Sequence, residues 1–202
     1  MEEAQTLVRV VSVFAAVQAL AWGCIGMMRI ARQSALSFSL ANLLLLVGIL
    51  LTLRRVTENG YIAYQLADLI ILGSFTWYRI GLQKLTALPV TTREHGMVFA
   101  LTGLAAFAIA PIPESIGSIG IIFSVGAAWV AFRSFLEAQA SLRDDFNFAV
   151  RLFFSLPFLL IFLTLIARPL LALIFPNEAN TLISMYGSGG ASFLWAQLIL
   201  LM

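Results

Sequence analysis

Long apolar runs, each closed by a charged or proline-containing connection, follow one another along the chain. The first covers about residues 7–28 and ends at Arg29 and Arg32. The second, about 35–53, closes on Arg54 and Arg55, after which Thr57, Glu58, Asn59 and Gly60 read as a tight turn. The third, about 61–82, ends near Lys84 and leads into a polar connection holding Pro89, Arg93, Glu94 and His95. The fourth, about 96–110, is stopped by Pro111 and Pro113, since proline removes a backbone donor and restricts the residue before it. The fifth, about 116–136, gives way to a charged loop with Arg143, Asp144 and Asp145. The sixth, about 148–175, is longer than a bilayer needs and is expected to tilt or to bend at Pro157. A seventh, about 181–202, reaches spanning length only with Gly187, Ser188, Gly189 and Gly190 included.

A helix crosses the hydrocarbon core with about 20 apolar residues. The pattern therefore predicts an all-α polytopic transmembrane bundle of six to seven spans, forming one domain within the lipid bilayer. The seventh run lacks a charged flank, so a cytoplasmic domain is expected after Met202. The acidic start Met1-Glu2-Glu3 is unlike a cleavable signal peptide, so the first helix is expected to be retained.

Composition agrees with this. The chain is 61% hydrophobic and 11% charged, against roughly 25% charged in soluble domains. A net charge of +2, with no basic cluster interleaved with aromatics, gives no reason to expect a nucleic-acid partner. Cys24 is the single cysteine and His95 the single histidine. An internal disulfide is impossible, bis-histidine haem ligation is ruled out, and no zinc spacing appears. Cys24 reads as a packing residue and His95 as a plain interfacial loop histidine. No nucleophile-base pair or phosphate-binding glycine loop is present. No cofactor or metal is expected, and whether the whole protein is an enzyme stays open.

Basic residues orient the chain. With the N-terminus outside, the inward side holds Arg29, Arg32, Arg79, Lys84, Arg93, Arg133, Arg143 and Arg151. The outward side holds Arg9, Arg54, Arg55 and Arg168. The excess favours an N-terminus outside and a cytoplasmic C-terminus, although Arg54-Arg55 runs against it.

The third span carries the most chemistry. Tyr61, Tyr64, Gln65, Asp68, Phe75 and Arg79 fall on one helical stripe. Asp68 and Arg79 share that face but lie roughly 16 Å apart along the axis. A charged Asp68 at this depth costs at least ~2.5 kcal/mol, so it must face protein or water or stay protonated. It reads either as a ligand-contacting or proton-responsive group, or as a hydrogen-bonding peg between helices with Asn42, or alternatively Gln18, as partner. Small residues four apart, Ala15-Ala19-Gly23 and Gly120-Ser124-Ala128, allow close helix approach.

Three stretches carry a family resemblance. They are Ser39-Leu40-Ala41-Asn42-Leu43-Leu44 with its basic end, Gln65-Leu66-Ala67-Asp68-Leu69-Ile70, and Trp77-Tyr78-Arg79-Ile80-Gly81-Leu82. Residues 35–85 resemble the multi-span N-terminal sensor regions that precede GGDEF diguanylate cyclase domains in bacteria. There a small residue followed by Asn or Asp recurs in the second and third spans, and a glycine closes the third. The resemblance implies a membrane sensory input domain that responds to a small ligand or membrane stimulus and controls cyclic di-GMP synthesis by helix repacking. It also implies a homodimer. Asp68, Gln65, Asn42, Tyr64 and Arg79 would be the ligand-binding or sensing residues. No cyclase residue is present in the 202 residues. The competing reading is a small transporter or channel subunit using Asp68; a structural or assembly protein is a third.

Overall fold

The computed structural model describes residues 2–54, 61–109, 116–144 and 146–174, with the side chains of 2–8, 53–54, 61–64, 116–117, 168 and 172 outside the description. It holds six helices: α1 (Glu2–Met27), α2 (Arg32–Arg54), α3 (Tyr61–Leu85), α4 (Thr92–Ile109), α5 (Ile116–Ser141) and α6 (Phe148–Ile174). No strand occurs among the described residues. The seventh run, 181–202, lies outside them.

Local signals set the helix ends. Beyond α1, Arg29 and Ala31 take left-handed backbone (φ 62° and 42°), which turns the chain sharply into α2. Ala87 (φ 55°) does the same beyond α3, and Leu88 N–H closes back on the Gln83 carbonyl at 2.8 Å. Asn147 caps α6 by accepting the Val150 N–H at 3.0 Å. Helix α6 runs through Pro157 and Pro169 without interruption.

Side-chain contacts fix an up-and-down order. Ser39 of α2 donates to the Ala19 carbonyl of α1 at 2.8 Å, and Tyr78 of α3 to Asn42 of α2 at 2.6 Å. Gln65 of α3 donates to the Ala106 carbonyl of α4, Arg133 of α5 to Glu94 of α4, and Gln139 of α5 to Ser155 of α6. Each helix thus runs antiparallel to the one before it. Helices α3 and α5 stand at the centre: α3 packs on α2, α4 and α5, and α5 packs on α3, α4 and α6. The larger core joins Ile71, Leu72 and Phe75 of α3 to Phe123, Ala127 and Val130 of α5 and to Ile161 and Leu165 of α6.

Ala15 and Ala19 are buried, in line with the expected close approach of α1. In α5, Ser124 and Ala128 are buried, but a Cβ on Gly120 would meet nothing within 4 Å. Close approach in α5 falls instead on Gly126, whose Cβ would collide with Thr102 of α4 at 2.5 Å.

Helices α1, α2, α5 and α6 are long and apolar enough to cross a membrane, which marks the chain as a membrane protein. Helix α3 falls short because Gln65, Asp68 and Arg79 interrupt its apolar run. Helix α4 opens with Thr92, Arg93, Glu94 and His95, leaving 14 apolar-run residues, about 21 Å of helix. The outward faces of α1, α2, α4 and α6 are apolar and exposed, as a lipid-facing surface should be.

Candidate functional site: a buried ion network

The α1–α2, α3–α4 and α5–α6 connections all lie at one end of the bundle. Near that end Arg79 of α3 is fully buried, its side chain 0% exposed. A guanidinium has five N–H donors in a fixed fork and no acceptor, so burial requires carboxylates or hydroxyls around it. Two neighbours supply them. Nη2 reaches Glu137 Oε1 of α5 at 2.6 Å and Glu94 Oε2 of α4 at 2.8 Å. Nε donates to Glu137 at 3.1 Å, Nη1 to Glu94 Oε1 at 3.0 Å, and Nη2 also reaches the Thr91 hydroxyl at 3.2 Å.

A second cation balances the second carboxylate. Arg133, one helical turn before Glu137, donates through Nε to Glu94 Oε1 at 3.0 Å. The Trp129 indole N–H, a further turn back, donates to the same oxygen at 3.1 Å. Gln83 sits one turn beyond Arg79 and donates to Glu137 at 3.0 Å and to Thr91 at 3.1 Å. Two carboxylates and two guanidinium groups make a neutral set spanning α3, α4 and α5.

His95 closes the network on one side. Its side chain is 6% exposed, and Nε2 lies 3.3 Å from Gln83 Oε1. That amide oxygen can only accept, so the hydrogen belongs on Nε2. Nδ1 is then an acceptor with no partner. Burial and the Arg79 charge push the His95 pKa below its usual value, against Glu94 and Glu137, which pull it up. Hydrogen bonds from Arg79 bring the Glu94 carboxyl down to about 2 against the opposing effect of burial; Arg133 and Trp129 add to the lowering.

The sites expected from the sequence divide between two faces. Gln65 and Arg79 do turn together toward α4 and α5, as the stripe requires, with Gln65 buried against the Ala106 carbonyl. Asp68 is half-buried and takes part in interactions of its own. Asn42 meets a different partner from the one anticipated: its oxygen accepts from Tyr78 and its nitrogen donates to the Phe38 carbonyl at 2.8 Å. The reason is register. Gly48 of α2 stands against Ala67 and Ile71 of α3, and Phe38 against Gly81. Asp68 is therefore level with the residues just beyond Gly48, while Asn42 is level with Tyr78, ten residues or roughly 15 Å further along. The side chain of Tyr64 lies outside the described residues.

Glu94 and Glu137 are not among the site residues the sequence suggests, and His95 reads there as a plain interfacial loop histidine. His95 belongs to the first turn of α4 rather than a loop, and α5 continues through Glu137 to Ser141. One signal was available. A buried arginine on an inward stripe demands carboxylates at its own height, and Glu94 and Glu137 are the acidic residues nearest that end on the two neighbouring helices. No group of three or more His, Cys, Asp or Glu that could hold a metal occurs among the described residues.

No protein-family model matches the chain, and neither a curated protein nor a solved structure matches it.

Proposed function

We propose that the chain is the membrane-embedded input region of a signalling protein, with all six helices crossing a bacterial inner membrane and the N-terminus outside. The network of Arg79, Glu94, Glu137 and Arg133 holds one of two helix packings. A stimulus that opens it shifts α5 and α6, and the shift passes through the last apolar run to a cytoplasmic output. By the resemblance of residues 35–85, that output is a diguanylate cyclase working as a homodimer.

The observation that carries the reading is a self-neutralising ion set, built around the fully buried Arg79, that joins three helices at one end. Replacing such a set wholesale with apolar residues is often neutral or stabilising, so it is a poor device for stability alone. Its best-attested use is to select one register or state from several. Every Arg79 donor nitrogen already has a partner, so the network suits a latch rather than a binding pocket for an anion.

The test is cyclic di-GMP in cells carrying the complete gene. Glu137→Gln removes one charge with little change of shape and is expected to shift the basal level several-fold at unchanged membrane abundance. An unchanged level would refute the latch. Asp68→Asn is the companion variant: lost solute flux with unaltered cyclic di-GMP would favour the transporter reading.

A further inference from the structure

At the network's end of the bundle, a cleft of about 280 Å³ opens between the end of α1 and the start of α2. Gly26, Met27, Arg29, Arg32 and Leu36 line it. Gly26 permits the close approach, since a Cβ there would stand 3.1 Å from Leu36 Cδ2. Two arginines and no acidic residue line this cleft. Arg79 and Arg133 at the same end are consumed by Glu94 and Glu137. Arg29 and Arg32 are exposed and have no ion-pair partner among the described residues.

The cleft also has an apolar exit. Leu36 begins an exposed stripe, continued by Leu40, Leu43, Val47 and Leu50, spaced four and three residues apart along α2. Positive charge at a helix end, continuous with an apolar track running down the helix, has the shape of an anionic amphiphile. We infer that this cleft binds the phosphate of an anionic phospholipid, with the headgroup between Arg29 and Arg32 and an acyl chain along the α2 stripe. The inference rests on the membrane location and is independent of the signalling reading.

The experiment uses the full chain in dodecyl maltoside micelles, titrated with phosphatidylglycerol or phosphatidylcholine and read by native mass spectrometry. Two arginines beside an anionic surface should favour phosphatidylglycerol by about 30-fold. Arg29→Asn with Arg32→Gln should abolish the preference; asparagine is chosen because it tolerates the left-handed backbone at position 29. Arg29→Lys with Arg32→Lys should keep most of it, which separates lost charge from lost fold. Arg143→Gln, an exposed arginine at the same end, should leave it unchanged. The inference is overturned by equal binding of the two lipids to the wild type, by a preference that survives the Asn/Gln variant, or by an Arg143→Gln loss as large as that variant's. Glycerol 3-phosphate competing as well as the lipid would likewise overturn it, replacing the lipid with a soluble anion.

Discussion

Tyr78 and Arg79 are neighbours in sequence, and because adjacent residues point about 100° apart around a helix they open onto two interfaces of different character. Toward α2, Tyr78 donates to Asn42, Lys84 to Ser37 at 3.0 Å, and Phe38 packs between the tilted rings of Trp22 and Tyr78 with centroids 4.8 and 6.1 Å away. These contacts are mostly neutral and each can be lost by itself. Toward α4 and α5, Arg79 shares both its carboxylates with other donors. Removing Arg79 there leaves two half-buried carboxylates short of a cation, and removing either carboxylate leaves the buried guanidinium unbalanced. The α2 face joins helices through separate contacts, whereas the α4–α5 face joins them through shared carboxylates, which is the arrangement the proposed latch requires.

Arg79→Met should produce the largest loss, because it leaves Glu94 and Glu137 facing each other without their shared cation. A broken buried pair costs about 3–5 kcal/mol. Chemical unfolding in detergent micelles measures it, and the triple variant Arg79→Met, Glu94→Gln, Glu137→Gln should recover most of the loss. If Arg79→Met costs no more than Tyr78→Phe, the contrast between the faces is void. Next comes Gly81→Ala. Its Cβ would lie 2.7 Å from the Phe38 ring, and overpacking of this kind costs about 1–3 kcal/mol. Phe38→Leu in the same chain should restore part of the lost melting temperature; no restoration would mean that α2 does not press on α3 at this point. Tyr78→Phe deletes a single hydrogen bond and should cost about 1 kcal/mol. A loss as large as that of Arg79→Met would make the neutral face cooperative too.

The six described helices were legible because each apolar run is closed by a proline, glycine or charged connection, and their ends moved by only a few residues. The stripe on α3 was legible as well: Gln65 and Arg79 face the same neighbours because spacing along one helix is fixed by its own geometry. Registry between helices was not legible. The sequence offers Asn42 as a partner for Asp68, yet the packing of Gly81 under Phe38 and Gly48 against Ile71 sets α2 along α3 so that Asn42 matches Tyr78. Glu94 and His95 escape the sequence for a related reason. Beside Arg93 they look like a polar connection with an interfacial histidine, and only the third dimension shows that the first turn of α4 lies against a buried guanidinium.

The smallest expected effect is a pH dependence that isolates His95 within the charged face. Its neighbours are Arg79 on α3, Glu94 on α4 and Glu137 on α5, with Gln83 holding Nε2. Burial disfavours the charged imidazole, and a third positive charge beside Arg79 adds to this against the pull of Glu94 and Glu137, which is why the folded pKa lies below the ordinary 6.5. A group whose folded pKa is depressed in this way binds its proton in the unfolded chain first. Stability should therefore hold above pH 6.5 and fall as pH drops from 6.5 toward the lowered folded value. Glu94 acts in the same direction but later. Its folded value near 2 against an ordinary 4.5 means that its contribution is intact above pH 4.5 and lost as pH approaches 2. Melting temperatures between pH 6.5 and 4.5 thus separate the two groups. His95→Gln should flatten that interval and leave the acid limb below it. A slope that persists in His95→Gln would show that the imidazole does not carry the dependence, and the charged face would then rest on its carboxylates and guanidinium groups alone.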